Sequence, residues 1–182
     1  MVELNKRLSL ISKIVEQKPF LGKTAMMKII YILQQVYSVP LGYDYEIYTY
    51  GPYCSEVMED IQLAADFKAI RINSVVFPNG NLGYELREGD NIKNIIDMEK
   101  DFVYSYGDSI LEVIKIFGNK TAKELELSST IIYMYINYTY NNWDNSIEKV
   151  SEGVKKIKPH FDIETIKEEY NNLNRLGMFN VS

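Results

Sequence analysis

The chain has 182 residues, of which 46% are hydrophobic and 25% charged, and its formal net charge is −5. This length suits one compact domain or two small lobes that share a core. The acidic balance argues against broad, non-specific binding to nucleic-acid backbone, although a small basic patch is compatible with it. A single cysteine excludes an internal disulfide, and no stretch approaches the roughly 18 apolar residues that span a bilayer. We therefore expect a cytoplasmic protein with no membrane contact.

The chain begins with two predicted helices and a strand. Apolar residues recur every three or four positions in the first helix, which ends near Pro19, and in a second helix that runs from about Gly22 to Pro40. The period then changes to two between Tyr43 and Tyr50, which predicts a strand rich in tyrosine. A Gly-Pro pair follows and predicts the turn that ends this strand.

A third helix and a β-hairpin complete the first half. Ser55 is the predicted N-cap of a helix that extends to about Phe67. Two alternating runs then predict a hairpin, with its turn at Asn79 and Gly80. The order helix, helix, short strand, helix, strand, wing, strand is that of a winged helix-turn-helix. We assign residues 1–89 to a winged-helix-like module on this basis.

Residues 90–182 form a predicted helical region that packs on the first module as one globular unit. One helix covers about residues 103–117, and Thr121 with Glu124 forms a capping box that opens the next. Two more helices follow, and Pro159 separates them. The predicted fold class is therefore α+β and mostly helical, with a β-hairpin wing in the first half.

Carboxylates of the third helix are the main candidates for chemistry. Glu56 and Asp60 are four residues apart and share a helix face, with Glu59 beside them. Two carboxylates can perform acid–base catalysis or hold a divalent cation, so a metal-dependent hydrolase is one alternative. A solvated acidic face is the simpler interpretation, and the single histidine, His160, lies between Pro159 and Phe161 at a turn between two predicted helices. We therefore predict a protein that is not an enzyme, with no catalytic residue, metal or cofactor.

The charge of the third helix also bears on DNA binding. This helix is the usual DNA-reading element of a winged helix, and its acidic residues would be repelled by phosphates. The basic residues available for a DNA contact are Lys23 and Lys28 on the second helix and Arg71 and Arg87 on the hairpin. A DNA-binding transcriptional regulator that uses the hairpin and the second helix is therefore an alternative, and it is disfavoured by the acidic helix.

A protein partner fits the same region better. Tyrosine combines a large apolar ring with a polar hydroxyl and therefore suits half-buried surfaces and interfaces. The predicted protein-binding residues are the tyrosine-rich turn and the acids of the third helix: Tyr48, Tyr50, Gly51, Pro52, Tyr53, Glu56, Glu59 and Asp60. The prediction is a non-enzymatic interaction module.

Several short segments resemble a known family. They are Lys28-Ile-Ile-Tyr-Ile-Leu, the stretch from Gly42 that contains Tyr48-Thr-Tyr-Gly-Pro-Tyr-Cys-Ser-Glu-Val, Thr121-Ala-Lys-Glu-Leu-Glu-Leu, and Ile157-Lys-Pro-His-Phe-Asp. Together they resemble the YwgA family of bacterial and archaeal proteins. The aromatic-Gly-Pro core is similar, more distantly, to the Panacea domain of SocA-like antitoxins. The resemblance implies an antitoxin-like or phage-defence-related adaptor or regulator whose partner is a toxin or defence component, and it brings no catalytic residue.

Overall fold

The computed structural model describes residues 2–76 and 80–180, and it is 61% helical with two small antiparallel hairpins. The predicted α+β, mostly helical fold class is thereby confirmed. The described elements are α1 (Val2–Gln17), α2 (Lys23–Gln35), β1 (Glu46–Tyr48), β2 (Gly51–Tyr53), α3 (Ser55–Asp66), β3 (Ile70–Val76), β4 (Leu82–Glu88), α4 (Ile92–Met98), α5 (Lys100–Ser105), α6 (Gly107–Phe117), α7 (Ala122–Tyr140), α8 (Ile147–Ile157) and α9 (Ile163–Arg175).

The segment predicted as one strand and a turn is a hairpin instead. Strands β1 and β2 pair antiparallel, with Tyr48 opposite Gly51, so the turn lies at Thr49 and Tyr50. The Gly-Pro pair belongs to β2 and does not form the turn itself. The N-cap of α3 is Cys54, in an extended conformation, and the prediction that Ser55 takes this position is wrong.

The second hairpin follows the prediction. Strands β3 and β4 pair over seven residues from Ile70 opposite Glu88 to Val76 opposite Leu82. The predicted turn residue Asn79 lies outside the described residues, whereas Gly80 has a φ of +80°, which favours glycine. The observed order has two short paired strands, β1 and β2, where the winged-helix order has one, and the winged-helix assignment stays a prediction.

The second half is helical from its start. Helix α4 fills a stretch for which the sequence pattern predicted no helix, and the helix predicted over residues 103–117 is divided at Tyr106 into α5 and α6. The capping box is confirmed: Thr121 Oγ1 accepts from the Glu124 N–H, and the Glu124 carboxylate accepts from the Thr121 N–H.

One cluster of buried apolar side chains includes residues from both halves of the chain. Helix α2 has eight consecutive buried residues, Met26–Leu33, so it is enclosed on all sides. Helix α7 is similarly enclosed over Leu125–Ile132 and packs on α2 and on β2. These two helices therefore form the support on which the β1–β2 hairpin rests.

The boundary at residue 89, between the predicted winged-helix-like module and the predicted helical region, stays a prediction. Among the described residues, no helix is both long and apolar enough to cross a membrane.

Candidate interaction surface

The β1–β2 hairpin has one inner and one outer face. Side chains alternate along a strand, so Glu46 and Tyr48 share a face with Tyr53, the cross-strand partner of Glu46. The rings of Tyr48 and Tyr53 lie together, with centroids 5.7 Å apart. Ile47 and Pro52 lie on the opposite face, where Pro52 is buried. The hairpin thus directs aromatic side chains outward while its other face packs on the core.

Exposure of these rings is high for aromatic residues. The exposed fraction is 66% for Tyr48, 68% for the turn residue Tyr50 and 38% for Tyr53. We call these three residues the tyrosine face. Gly51 and Pro52, which the sequence grouped with them, are buried behind it.

Two buried lysines hold the backbone of this hairpin. The Nζ of Lys28, on α2, donates to the Pro52 carbonyl at 2.5 Å. The Nζ of Lys158, after α8, donates to the Tyr48 carbonyl at 2.9 Å and to the Thr49 carbonyl. Both lysines are only 2% exposed. The expectation that Lys28 lies on a basic surface edge is therefore wrong: its charge faces the inside of the hairpin.

A buried glutamate balances part of this charge. The Oε1 of Glu126, on α7, lies 3.2 Å from the Nζ of Lys158 and 3.3 Å from Nε2 of the half-exposed His160. Burial and, to a smaller extent, the nearby charge of Lys158 lower the pKa of Lys28 to about 8, while the Glu126 charge opposes the shift. The hairpin is therefore coupled to a small buried charge cluster made by Lys28, Glu126 and Lys158.

Close packing at Gly51 brings the hairpin onto α7. Its φ is +90°, and a Cβ at this position would lie 3.0 Å from Thr130 Oγ1 and 3.1 Å from Ser129 Oγ. Both the backbone conformation and the available space thus require glycine.

The acids of α3 are only partly exposed. Arg7, on α1, forms an ion pair with Glu56 at 2.7 Å and lies 3.7 Å from the Asp60 carboxylate. The Tyr43 hydroxyl donates to Asp60 at 2.7 Å. Asp60 is buried, so the expectation that it belongs to a solvated face is wrong, whereas Glu56 is half-exposed and Glu59 exposed.

This contact network also changes the chemistry open to the carboxylates. Burial raises the pKa of Asp60, and the Tyr43 hydrogen bond and the Arg7 charge lower it without cancelling that rise. The Arg7 guanidinium lies over the Tyr43 ring, 4.3 Å from its centroid. Glu56 and Asp60 therefore bind an arginine of their own chain, which argues against the metal-dependent hydrolase alternative. Among the described residues, no group of three or more His, Cys, Asp or Glu could hold a metal ion.

The remaining basic candidates lie near the second hairpin. Lys23 Nζ lies 4.6 Å from the Tyr84 ring centroid, and Arg71 forms an ion pair with Asp90. Lys23 and Arg71 line one groove, of about 580 Å³, together with Lys68, Asp66 and Asp90. Three cations and two anions therefore share this groove.

Arg87 lies over a ring as well. Its guanidinium is 4.5 Å from the Phe20 ring centroid and also contacts Glu85 at 3.3 Å. The sequence-predicted basic residues thus divide into one that is buried, Lys28, and three near the second hairpin that contact aromatic rings or acids.

Sequence reasoning missed the residues that anchor the hairpin. Lys158 and Glu126 are far from β1 in sequence, and no local pattern connects them with it. A usable signal existed for Lys28, because it lies within a run of apolar residues that covers every side of a helix, whereas Glu126 is followed by Ser128, Ser129 and Thr130 and has no such signal. A charged residue in such a run must be buried and needs a partner.

No family model matches the chain, and no curated protein or solved structure is significantly similar to it. The resemblance to the YwgA family and the Panacea domain therefore stays an expectation from short motifs.

Proposed function

We propose that this chain is a non-enzymatic, cytoplasmic interaction module that binds a partner protein through the tyrosine face and the adjoining acids Glu56 and Glu59. The antitoxin-like or phage-defence-related adaptor role implied by the family resemblance belongs to this proposal, with a toxin or defence component as partner. The observation that carries it is a set of exposed tyrosines on a hairpin whose backbone is fixed from inside by buried lysines.

Fixing the hairpin favours binding. Tyrosine is enriched at interfaces because its ring contributes a large contact area with few rotatable bonds. A surface that is already ordered loses less conformational entropy on association than a mobile loop does. The hydrogen bonds from Lys28 and Lys158 to the carbonyls of the hairpin supply this order before any partner is present.

The charges around the tyrosine face define the partner's chemistry. Glu46 shares the outer face with Tyr48 and Tyr53, and the half-exposed Glu56, which also pairs with Arg7, follows β2 by three residues. Exposed aromatic rings next to carboxylates favour arginine and lysine, which can stack on the rings and pair with the acids. The proposed partner therefore presents a segment that carries arginine or lysine.

Affinity capture from the native cell tests the proposal with matched baits. The wild-type chain is compared with the double variant Tyr48→Ser/Tyr50→Ser and with Val76→Ser/Leu82→Ser, two positions on the second hairpin that are 70% and 76% exposed. We expect one stoichiometric protein on the wild type and the control but not on the tyrosine variant, and cross-links to a segment rich in arginine or lysine. Recovery of no such protein, or equal recovery on all three baits, would contradict the proposal.

A DNA-binding regulator is the second candidate. The groove that contains Lys23, Lys68 and Arg71 favours it, and Asp66 and Asp90 in the same groove weaken it. A gel shift across a salt series distinguishes the two functions, since a regulator shows sequence-specific binding with a clear salt slope. Absence of any shift at low salt rules the regulator out.

A further inference from the structure

The short helices α4, α5 and α6 form a groove together with α1, and none of the residues that line it belongs to the tyrosine face. Its volume is about 760 Å³, which is larger than the 580 Å³ of the groove beside the second hairpin. Ile96, on α4, and the buried Val103, on α5, contribute apolar surface to its lining. Neither the proposed partner-binding surface nor the basic candidates for a DNA contact use this groove.

Two exposed apolar side chains also line the groove. Tyr104, on α5, directly follows the buried Val103 and is 87% exposed, and Leu111, on α6, is 51% exposed. Single exposed apolar residues are ordinary on a protein surface, whereas apolar residues that line a shared cavity of this size are typical of binding sites. The same patch therefore has a concave apolar surface and a ring that is almost fully exposed.

Unpaired charges of both signs surround this apolar surface. Lys93 and Asp97 lie four residues apart on α4, Lys100 begins α5, and Asp108 lies in the first turn of α6. All four side chains are exposed, and none of them forms an ion pair with a residue in the described ranges 2–76 and 80–180. Two lysines and two aspartates are thus free to pair with groups on another molecule.

A second copy of the chain fits this combination of features. In a dimer with a two-fold axis both copies use the same patch, so the patch must be complementary to itself. Lysines and aspartates around one groove meet this condition, because a basic residue of one copy can face an acidic residue of the other. A uniformly basic or acidic partner would be repelled by half of these charges. The other two charged lining residues, Lys13 and Glu16, already pair with each other at 2.6 Å.

We propose that this chain forms a two-fold dimer through the groove between α4, α5 and α6. Tyr104 of each copy packs into the groove of the other and covers its Leu111. Lys100 and Asp108 lie four residues before and four residues after Tyr104. A two-fold rotation that brings the two Tyr104 side chains together therefore sets Lys100 of one copy opposite Asp108 of the other. The tyrosine face shares no residue with this interface, so the dimer presents two such faces and can bind two partner segments.

Sedimentation velocity of the full chain over a series of concentrations tests the dimer. We expect a reversible monomer–dimer equilibrium with a dissociation constant of roughly 1–100 μM. A chain that stays monomeric at about 1 mM would overturn the proposal and would assign the groove to a different occupant. That result would leave the tyrosine-face proposal unaffected, because the two surfaces share no residue.

Two variants of equal exposure locate the interface. Tyr104, in the groove, and Tyr140, at the end of α7, are both 87% exposed, so neither substitution should disturb the core. Tyr104→Ala should raise the dissociation constant of the dimer by roughly tenfold or more, as loss of an aromatic hot spot does, whereas Tyr140→Ala should leave it unchanged. Equal effects of the two variants, or no effect of either, would place the contact elsewhere and overturn the proposal.

Charge reversal tests the two-fold arrangement itself. Lys100→Glu and Asp108→Lys should each weaken self-association by roughly tenfold or more, because like charges then face each other at both contacts. An equimolar mixture of the two variants should dimerise as the wild type does, since every contact in the mixed dimer joins opposite charges. Failure of the mixture to recover the dimer would contradict the proposed pairing of Lys100 with Asp108 and overturn the two-fold dimer.

Discussion

The two hairpins of this chain are stabilised in different ways. Hairpin β3–β4 has seven-residue strands and a full ladder of pairs, and its Leu86 forms two backbone hydrogen bonds with the α1–α2 connection, at Phe20 and Leu21. Hairpin β1–β2 has only three residues in each strand. A two-stranded hairpin of that length is not stable alone. Its carbonyls are instead held by Lys28 and Lys158 from the core.

The buried charges that support the β1–β2 hairpin are a place where the fold is less stable than well-packed apolar residues would make it. Buried charges are seldom the most stable way to fill a core, because well-packed apolar residues often do as well or better. Here the charges fix a short hairpin that exposes the tyrosine face, whereas the longer hairpin needs no such support. We infer that the buried cluster of Lys28, Glu126 and Lys158 serves the position of the tyrosine face more than global stability.

Lys158→Met is expected to cause the largest loss in the free energy of unfolding. The substitution removes the donor to two hairpin carbonyls and leaves the Glu126 carboxylate buried without its lysine partner. We expect the free energy of unfolding to fall by about 3–5 kcal/mol, measured by chemical denaturation. Lys156→Met, at an exposed position on α8, is the control and should change it by less than about 0.5 kcal/mol. Similar losses for both variants would show that the buried cluster does not hold the hairpin.

Replacing one glycine in each hairpin with alanine compares directly how tightly the two hairpins are packed. Gly51 and Gly80 both have positive φ, but of these two only Gly51 has atoms within 4 Å of the methyl group that alanine would add, among them those of Thr130 and Ser129. We expect Gly51→Ala to lower the free energy of unfolding by about 2–4 kcal/mol and Gly80→Ala by about 1 kcal/mol. Equal losses in thermal or chemical denaturation would mean that backbone conformation alone matters and that the hairpin is not tightly packed on α7.

The pH dependence of stability should show the buried charge of Lys28. Its pKa is about 8 in the folded chain, below the value of 10.5 expected when unfolded. Between these values the unfolded chain binds more protons, so the free energy of unfolding rises with pH. We expect a rise of about 1–2 kcal/mol from pH 8 to pH 9.5, absent in Lys28→Met. Parallel pH curves for the wild type and the variant would show that Lys28 is not held in a destabilising site.

The smallest effect is expected at the far end of the second hairpin. Val76 and Leu82 are exposed cross-strand partners. The double variant Val76→Ser/Leu82→Ser should change the free energy of unfolding by less than about 0.5 kcal/mol, because little apolar area leaves the core. A loss of several kcal/mol in denaturation would show that this end packs against something, and it would remove the variant as a control for the tyrosine face.

Local signals explain which parts of the fold were predictable. The presence of α1, α2, α7, α8 and α9 follows from periodicity, proline and the Thr121–Glu124 capping box, all of which act within a few residues. Helix α2 ends at Gln35, before the predicted end at Pro40, and α4 was not predicted. Strand β2 was missed because a Gly-Pro pair usually forms a turn, whereas here Gly51 pairs with Tyr48 of β1 and packs closely against α7. Elements set by short-range preferences could be predicted from the sequence, and elements set by tertiary contacts could not.

The candidate site was predicted less completely for the same reason. The exposed tyrosines were identified from residue type alone. The position of Lys28 inside the core, and that of Asp60 beside Arg7 and Tyr43, depend on residues distant in sequence. Residue type suggested that Lys28 and Asp60 are exposed at the surface, whereas both are buried in the folded chain.

The central claim is that the tyrosine face, and not the second hairpin, binds the partner. It is tested most directly by titrating the purified partner into the wild type, Tyr48→Ser/Tyr50→Ser and Val76→Ser/Leu82→Ser. We expect the tyrosine variant to bind at least roughly 30-fold more weakly, as loss of aromatic hot spots does, and the control to bind like the wild type. Equal affinity of all three, or weakening only by the control variant, would contradict the claim.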